Sequence, residues 1–317
     1  MKRPKQIGFA HVFGILAVFL LQPAPLAQAE GLKTSIQGKK EVAMKNDIQK
    51  GKKITGYAPV NGLKMYYEIE GTGEPLVFIP PAFGVAGAKS FPLLEKNRAV
   101  IQMDLQGNGR TVDIPDRPLS IEQYSKDVVE LLKYLKISKA DFVGESYGGD
   151  TVAMIALRHP ELVRRAVTYS ATFAAPPATL DPGITHYEYT PTAETRDVQY
   201  QRETYQKTAP DPSYWPKIWE KLVSIKWNGF SKEELASIKA PLLIIQGDRD
   251  FVKLEHSIDT FRVIPNAELA VVPSASHFAL SSDQEKVMPM IQHFLEKSEK
   301  QIPLATATVG YHPGETR

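Results

Sequence analysis

The sequence predicts an α/β protein built on a mostly parallel sheet, with helices on both faces. Three observations carry that expectation. Asn61-Gly62 separates two strand-like runs, a strong short-range hairpin signal. Further along, short apolar runs alternate with stretches of helical period, the pattern of successive βα units. Third, the pentapeptide Gly144-Glu145-Ser146-Tyr147-Gly148 stands where a strand-like run passes directly into a helix-like one.

In order, the hairpin is Tyr57-Ala58-Pro59-Val60 and Leu63 to Ile69. Pro75 to Ile79 and Ala99 to Met103 are short, continuously apolar runs, as buried strands require. Ile121 to Leu135 has apolar residues at helical spacing, with Ser120 placed to cap its start. Lys139 to Val143 is the strand before the pentapeptide, Gly149 to Leu157 the helix after it, and Arg165 to Tyr169 a further strand. The alternation then lapses over about 173–230, which is rich in Pro, Tyr, Trp and Thr and reads as an inserted cap. It resumes with a strand at Pro241 to Ile245, a helix over about Lys253 to Val263, a strand at Ala267 to Val272 and a helix over about Asp283 to Lys297. A hairpin followed by right-handed crossovers places most strands parallel.

The 317 residues, 43% hydrophobic and 23% charged, suit one domain with a substantial core. Residues 1–29 read as a cleaved signal peptide: Lys2, Arg3 and Lys5, an apolar stretch from Ile7 to Leu21, and Ala27-Gln28-Ala29 as the cleavage site. Export to the periplasm or the medium follows from that reading. Without cysteine, neither lipid attachment at the cleavage site nor a disulfide is available. Loss of the signal takes Lys+Arg from 38 to 35 against 36 Asp+Glu, which removes the case for nucleic acid or an anionic membrane surface as partner. Residues 30–55 read as a linker, 56–297 as the folded domain and 298–317 as a loose tail. Oligomeric state leaves no readable mark.

In open α/β sheets, function collects at the carboxyl ends of the strands. Ser146 follows one strand, Gly247-Asp248-Arg249-Asp250 another, and Pro273-Ser274-Ala275-Ser276-His277 the last. Serine, aspartate and histidine in this order can form a nucleophile, its base and the carboxylate that orients the base. The other histidines fit lesser roles. His159 precedes Pro160 at a helix end, His256 and His293 fall inside predicted helices, His11 lies in the signal, His312 in the tail and His186 in the cap, within reach of substrate. No metal-ligand cluster, P-loop or dinucleotide fingerprint is present.

Over about residues 57–297 the chain resembles the α/β-hydrolase superfamily. The likeness rests on three motifs: the G-x-S-x-G elbow at Ser146; Asp104-Leu105-Gln106-Gly107-Asn108-Gly109-Arg110-Thr111, similar to D-x-x-G-x-G-x-S with Thr for Ser; and Gly247 to Asp250, similar to G-x-x-D. The resemblance implies an α/β-hydrolase fold with Ser146, Asp250 and His277 as triad, Asp248 being the alternative acid. One departure concerns the oxyanion site. Where the family has His-Gly after its third strand, this chain has Pro80-Pro81-Ala82-Phe83-Gly84, and proline has no N–H to donate. The donors then fall to Ala82, or one residue on to Phe83, together with Tyr147. Phe83 and Phe278 adjoin the catalytic positions and are expected to touch substrate; Trp215, Trp219 and Trp227 with the cap tyrosines form mainly cap core.

What the resemblance implies first is an exported serine hydrolase that cleaves a small apolar or aromatic carboxylic ester through an acyl-enzyme on Ser146, with no cofactor. Its partner is a small-molecule substrate, with neither nucleic acid nor, once the signal is removed, a membrane. Amide or peptide-end hydrolysis and C–C bond cleavage use the same triad and stay open. So does a non-catalytic binding protein that kept the elbow.

Overall fold

A computed structural model describes residues 52–87, 91–175, 179 and 196–297. The expected signal peptide, nearly all of the expected linker, the expected tail and His186 lie outside the described residues.

Strands β1 (Ile54–Val60) and β2 (Leu63–Glu70) form the hairpin, closed by Asn61 and Gly62 at φ 45° and 84°. Positive φ at both turn residues is what a two-residue type I′ turn requires. β1 starts at Ile54, inside the stretch read as linker. Just before it, the Lys53 ammonium lies 2.6 and 2.7 Å from Glu68 and Glu70 on β2, which extends the pairing toward the amino terminus.

The remaining elements run β3 (Glu74–Ile79), α1 (Pro92–Glu95), β4 (Arg98–Met103), α2 (Ile121–Tyr134), β5 (Ala140–Glu145), α3 (Tyr147–Arg158) and β6 (Val163–Tyr169). Then come α4 (Arg196–Thr208), α5 (Trp215–Val223), α6 (Lys232–Ser237), β7 (Leu242–Gly247), α7 (Leu254–Val263), β8 (Ala267–Val272), α8 (Ala279–Ser282) and α9 (Gln284–Glu296). Ser120 caps α2, its hydroxyl accepting the Gln123 N–H at 3.1 Å. The eight strands form one sheet in the order β1-β2-β4-β3-β5-β6-β7-β8. β2 pairs antiparallel with β1 and β4, and every other pairing is parallel. The mostly parallel sheet with its opening hairpin is thus as the sequence predicts.

Both sheet faces are buried. On one, Phe78, Val143 and Tyr169 pack against Phe91, Leu280 and Phe294 of α1, α8 and α9 or their flanks. On the other, α2 and α3 bring Val128, Leu131, Val152 and Ile155 down with almost no exposed surface. Each such side chain stabilises the fold by about 1.5–3 kcal/mol. At the amino edge of the strands, fully buried Asp141 accepts from Arg98 at 2.5 Å and from Arg164 at 2.8 and 2.9 Å.

The cap interrupts the βα alternation between β6 and β7. Its described part contains α4, α5 and the return to the sheet. Phe230 N–H donates to the Phe173 carbonyl at 2.9 Å, and Ala174 forms a β-bridge with Gly229. Trp215, Trp219, Trp227 and Tyr205 are buried, as cap core should be, whereas Tyr200 is exposed.

Candidate active site

Ser146 follows β5 directly and stands immediately before α3 with φ 55° and ψ −123°. Backbone of this kind costs about 1–3 kcal/mol in a non-glycine residue and persists only where the surroundings enforce it. The two flanking glycines provide that enforcement. A Cβ on Gly144 would lie 2.2 Å from the Gly148 carbonyl oxygen, and one on Gly148 would lie 2.1 Å from that of Ile79. Only glycine lets β5, α3 and β3 approach so closely, and the approach makes the turn sharp. Ser146 and Tyr147 are half-buried at the amino terminus of α3, where first-turn N–H groups point out of the helix and favour negative charge.

Asp250 and His277 follow β7 and β8. Their side chains meet at 2.8 Å, Asp250 Oδ1 to His277 Nδ1. Asp250, not Asp248, is therefore the carboxylate bonded to the histidine. Asp248 lies 33% exposed and 3.8 Å from Arg249. Burial on its own would raise the Asp250 carboxyl. The hydrogen bond and charge of His277, with the Ser170 hydroxyl and Val252 N–H, outweigh that and hold it below the usual range. An ionised Asp250 is an acceptor, so Nδ1 carries the proton and Nε2 is left as the base. Phe251 stacks on the imidazole, centroids 3.9 Å apart at 24°, and Phe278 meets it edge-on at 5.2 Å. Phe278 is also 39% exposed, so it presents surface beside the histidine.

β6 supplies residues that motif reading does not single out. Tyr169 accepts the Ser146 N–H on its carbonyl at 2.8 Å, and its hydroxyl donates to the Ser276 carbonyl at 2.7 Å. One fully buried residue thereby ties Ser146, through its backbone, to the residue before His277, through its side chain. The next residue, Ser170, donates to Asp250 Oδ2. Asp150, in the first turn of α3, accepts from Phe173 N–H at 2.7 Å and the Thr172 hydroxyl at 2.9 Å. Complete burial pushes Asp150 up to about 6, against the pull of those donors and of His277. His256 sits on α7 with Nε2 against the Thr172 carbonyl, a structural place, and burial lowers its pKa.

The chain after β3 passes through Pro80 and Pro81 into a turn closed by Gly84 N–H to the Pro81 carbonyl at 2.9 Å. Ala82 is half-buried there. Phe83 has φ 58° and its ring is buried against cap aromatics, 4.7 Å from Trp215 and 6.0 Å from Trp219. Its aromatic partners among the described residues are the cap indoles. A separate surface groove is lined by Asn61, Arg117, Lys126 and His159 beside α2 and contains no part of this arrangement. Among the described residues no group of three or more His, Asp or Glu could hold a metal ion, and no helix is long and apolar enough to cross a membrane.

A family model described as the alpha/beta hydrolase fold matches residues 75–211. A 2-hydroxymuconate semialdehyde hydrolase of Pseudomonas putida is 26% identical over 257 residues, covering 73% of this chain and 90% of that protein. Among solved structures, a meta-cleavage product hydrolase of Pseudomonas fluorescens IP01 superposes with TM-score 0.65 at 22% identity, over 76% of this chain and 97% of its own. An enol-lactonase of Burkholderia xenovorans LB400 does so with TM-score 0.61 at 23% identity, over 76% and 100%. At that identity the two structures speak to the fold alone.

Proposed function

We infer, from the α/β-hydrolase-superfamily fold of the serine-hydrolase type that this chain has, that Ser146, His277 and Asp250 hydrolyse a C–C bond in a small ring-fission product. What supports the triad is the 2.8 Å Asp250–His277 bond, together with a serine held at φ 55° after β5 of the same sheet. What supports the bond class is the Pseudomonas putida relative, whose name specifies a semialdehyde of 2-hydroxymuconate and which this chain matches over 90% of its length. Motif reading puts ester hydrolysis first, with amide or C–C hydrolysis as the alternatives; that relative favours the C–C alternative. The two phenyl rings around His277 suit a flat, conjugated substrate.

In the proposed reaction Ser146 Oγ attacks the substrate carbonyl and His277 Nε2 takes its proton. Asp250 holds the imidazolium. The N–H groups of Ala82 and Tyr147 receive the oxyanion. Before that attack the dienol passes a proton from its 2-hydroxyl to the carbon beside the scissile carbonyl, which creates an enone. The C–C bond then breaks, its electron pair passing into that enone to leave a dienolate, and His277 returns the serine proton to it. Water, deprotonated by His277, releases the acyl group as a carboxylic acid and regenerates Ser146. A carbon leaving group needs that conjugated sink; an ester does not.

The test pairs two substrates, a 2-hydroxy-6-oxohexa-2,4-dienoate and 4-nitrophenyl acetate, with wild type and Ser146→Ala. We expect dienoate turnover that falls by at least about 10⁴-fold in the variant, as for other serine triads. Serine-dependent ester turnover with an untouched dienoate overturns the bond class. Turnover that survives Ser146→Ala overturns the triad.

A further inference from the structure

The double proline after β3 leaves unexplained what holds the remaining N–H groups of that loop in place. We propose that the cap helix α5 does so: Trp215 and Trp219 are positioning residues that set the oxyanion loop through the ring of Phe83. The inference rests on the proposed use of Ala82 as an oxyanion donor.

Phe83 is bulky and nevertheless stands at φ 58°. Non-glycine residues keep that conformation where packing over-determines it. Here the packing comes from above. The Phe83 ring sits 4.7 Å from Trp215 and 6.0 Å from Trp219, the two indoles stack at 5.5 Å, and Tyr205 backs Trp215 at 5.6 Å. Ala82, the proposed donor, is the adjoining residue, so a ring held against the indoles restrains the backbone rotations at Phe83 through which the loop around Ala82 would shift.

The helix that bears the indoles is fixed independently. Lys221 Nζ donates to both oxygens of buried Asp113, at 2.8 and 2.7 Å, and to the Ile114 and Pro115 carbonyls at 2.9 and 3.2 Å. Just before the start of α5, the Tyr214 hydroxyl donates to Asp113 Oδ2 at 3.0 Å. Gln106 donates to the same carboxylate at 2.7 Å. Both ends of α5 are thus latched to one carboxylate in the loop after β4. Ile218, between the two indoles, packs so close to Gly107 that a Cβ there would come within 2.2 Å of its Cδ1. The loop after β3 is anchored below too, with Ala86 N–H donating to Asp104 at 2.6 Å. A loop pinned at its base and pressed from above has little freedom left.

A double-mutant cycle tests this, with kcat and KM measured for the dienoate and for 4-nitrophenyl acetate. Trp215→Leu is expected to lower kcat by about 10- to 100-fold with both substrates while KM changes little, because a shift of order 1 Å in the donor weakens only the transition state. Phe83→Gly, which suits the positive φ but severs the link, should lower kcat on its own. Adding Trp215→Leu to it should then cost nothing more. Lys221→Met should act like Trp215→Leu, with Lys221→Arg restoring most of the loss, and thermal unfolding identifies any variant that merely fails to fold. Multiplicative losses in the double variant overturn the inference, as does a Trp215→Leu effect confined to KM, which would make the indole a substrate wall. A wild type without Ser146-dependent turnover removes the functional reading, and the inference with it. An active wild type with multiplicative losses removes the inference alone.

Discussion

Asp141 and Asp250 are aspartates of similar depth at opposite edges of one sheet. Asp141, at the amino edge, turns its carboxylate to two guanidiniums, Arg98 and Arg164, both permanently charged. Asp250, at the carboxyl edge, faces one imidazole, one hydroxyl and one backbone N–H. The first arrangement sets a buried carboxylate against fixed positive charge. The second keeps a negative charge beside a group that can gain a proton, and that asymmetry is what acid–base chemistry uses. The backbone shows the same division. Of the seven non-glycine residues at positive φ among those described, Phe83, Ser146, Ser170, Phe173 and Ser274 follow strand ends at the carboxyl edge. Strain collects where it positions reactive groups.

Exchanging effects between the two aspartates is the most direct way to break this comparison. Asp250→Asn should lower kcat by about 10⁴-fold, since the amide lets the imidazole choose the wrong tautomer, while the melting temperature hardly moves. Asp141→Asn should do the reverse. It leaves guanidiniums without their counter-charge and should cost about 3 kcal/mol of stability in denaturant titrations, with kcat per folded molecule preserved. A large kcat loss in Asp141→Asn would show that the two edges are not separate in function.

Asp150 sharpens the contrast, because it is buried at the active edge without a cationic bond. Its folded value of about 6 lies above an unfolded value near 4. The folded state therefore holds the proton more tightly. The stabilisation this gives is complete below pH ~4 and is lost as pH rises through ~6, a change of about 3 kcal/mol. Asp150→Asn removes that slope. Unfolding free energies of variant and wild type should diverge in the variant's favour between pH 4 and 7, and parallel curves would refute the assignment. The smallest effect is expected at Ser170. Ser170→Ala should cost about 1 kcal/mol, read as a few-fold loss in kcat, since Asp250 keeps its two other donors.

The regular part of this molecule is legible in the sequence because it is written in local pattern. Apolar runs become β3 to β8, the Asn-Gly turn joins β1 to β2, and the serine, aspartate and histidine stand just after strands. Spacing within a motif also favours Asp250 over Asp248. What escapes such reading is lateral. Ser170 and Asp250 are 80 residues apart, Tyr169 and Ser276 are 107 apart, and both pairs meet only because β6, β7 and β8 lie side by side. The place of Phe83 depends likewise on how α5 crosses the loop, which no local pattern encodes. Asp150 resembles any first-turn acidic residue until its complete burial is known. A residue directly after β6 was the one available signal, since every strand end at that edge faces the same crevice.

The bridge between Ala174 and Gly229 has a practical consequence for anyone redesigning this enzyme. The polypeptide departs from the core and rejoins it at adjacent points, so the intervening segment is a cassette whose two ends meet at a single seam. Exchanging it for a shorter or longer segment need not disturb the sheet, provided the contacts of α5 with Asp113, Gly107 and Phe83 are kept. A transplant that lacked the paired indoles, however, would discard a support for the loop after β3 together with the old specificity. Cassettes that carry an aromatic pair in register with Phe83 are the ones to build first.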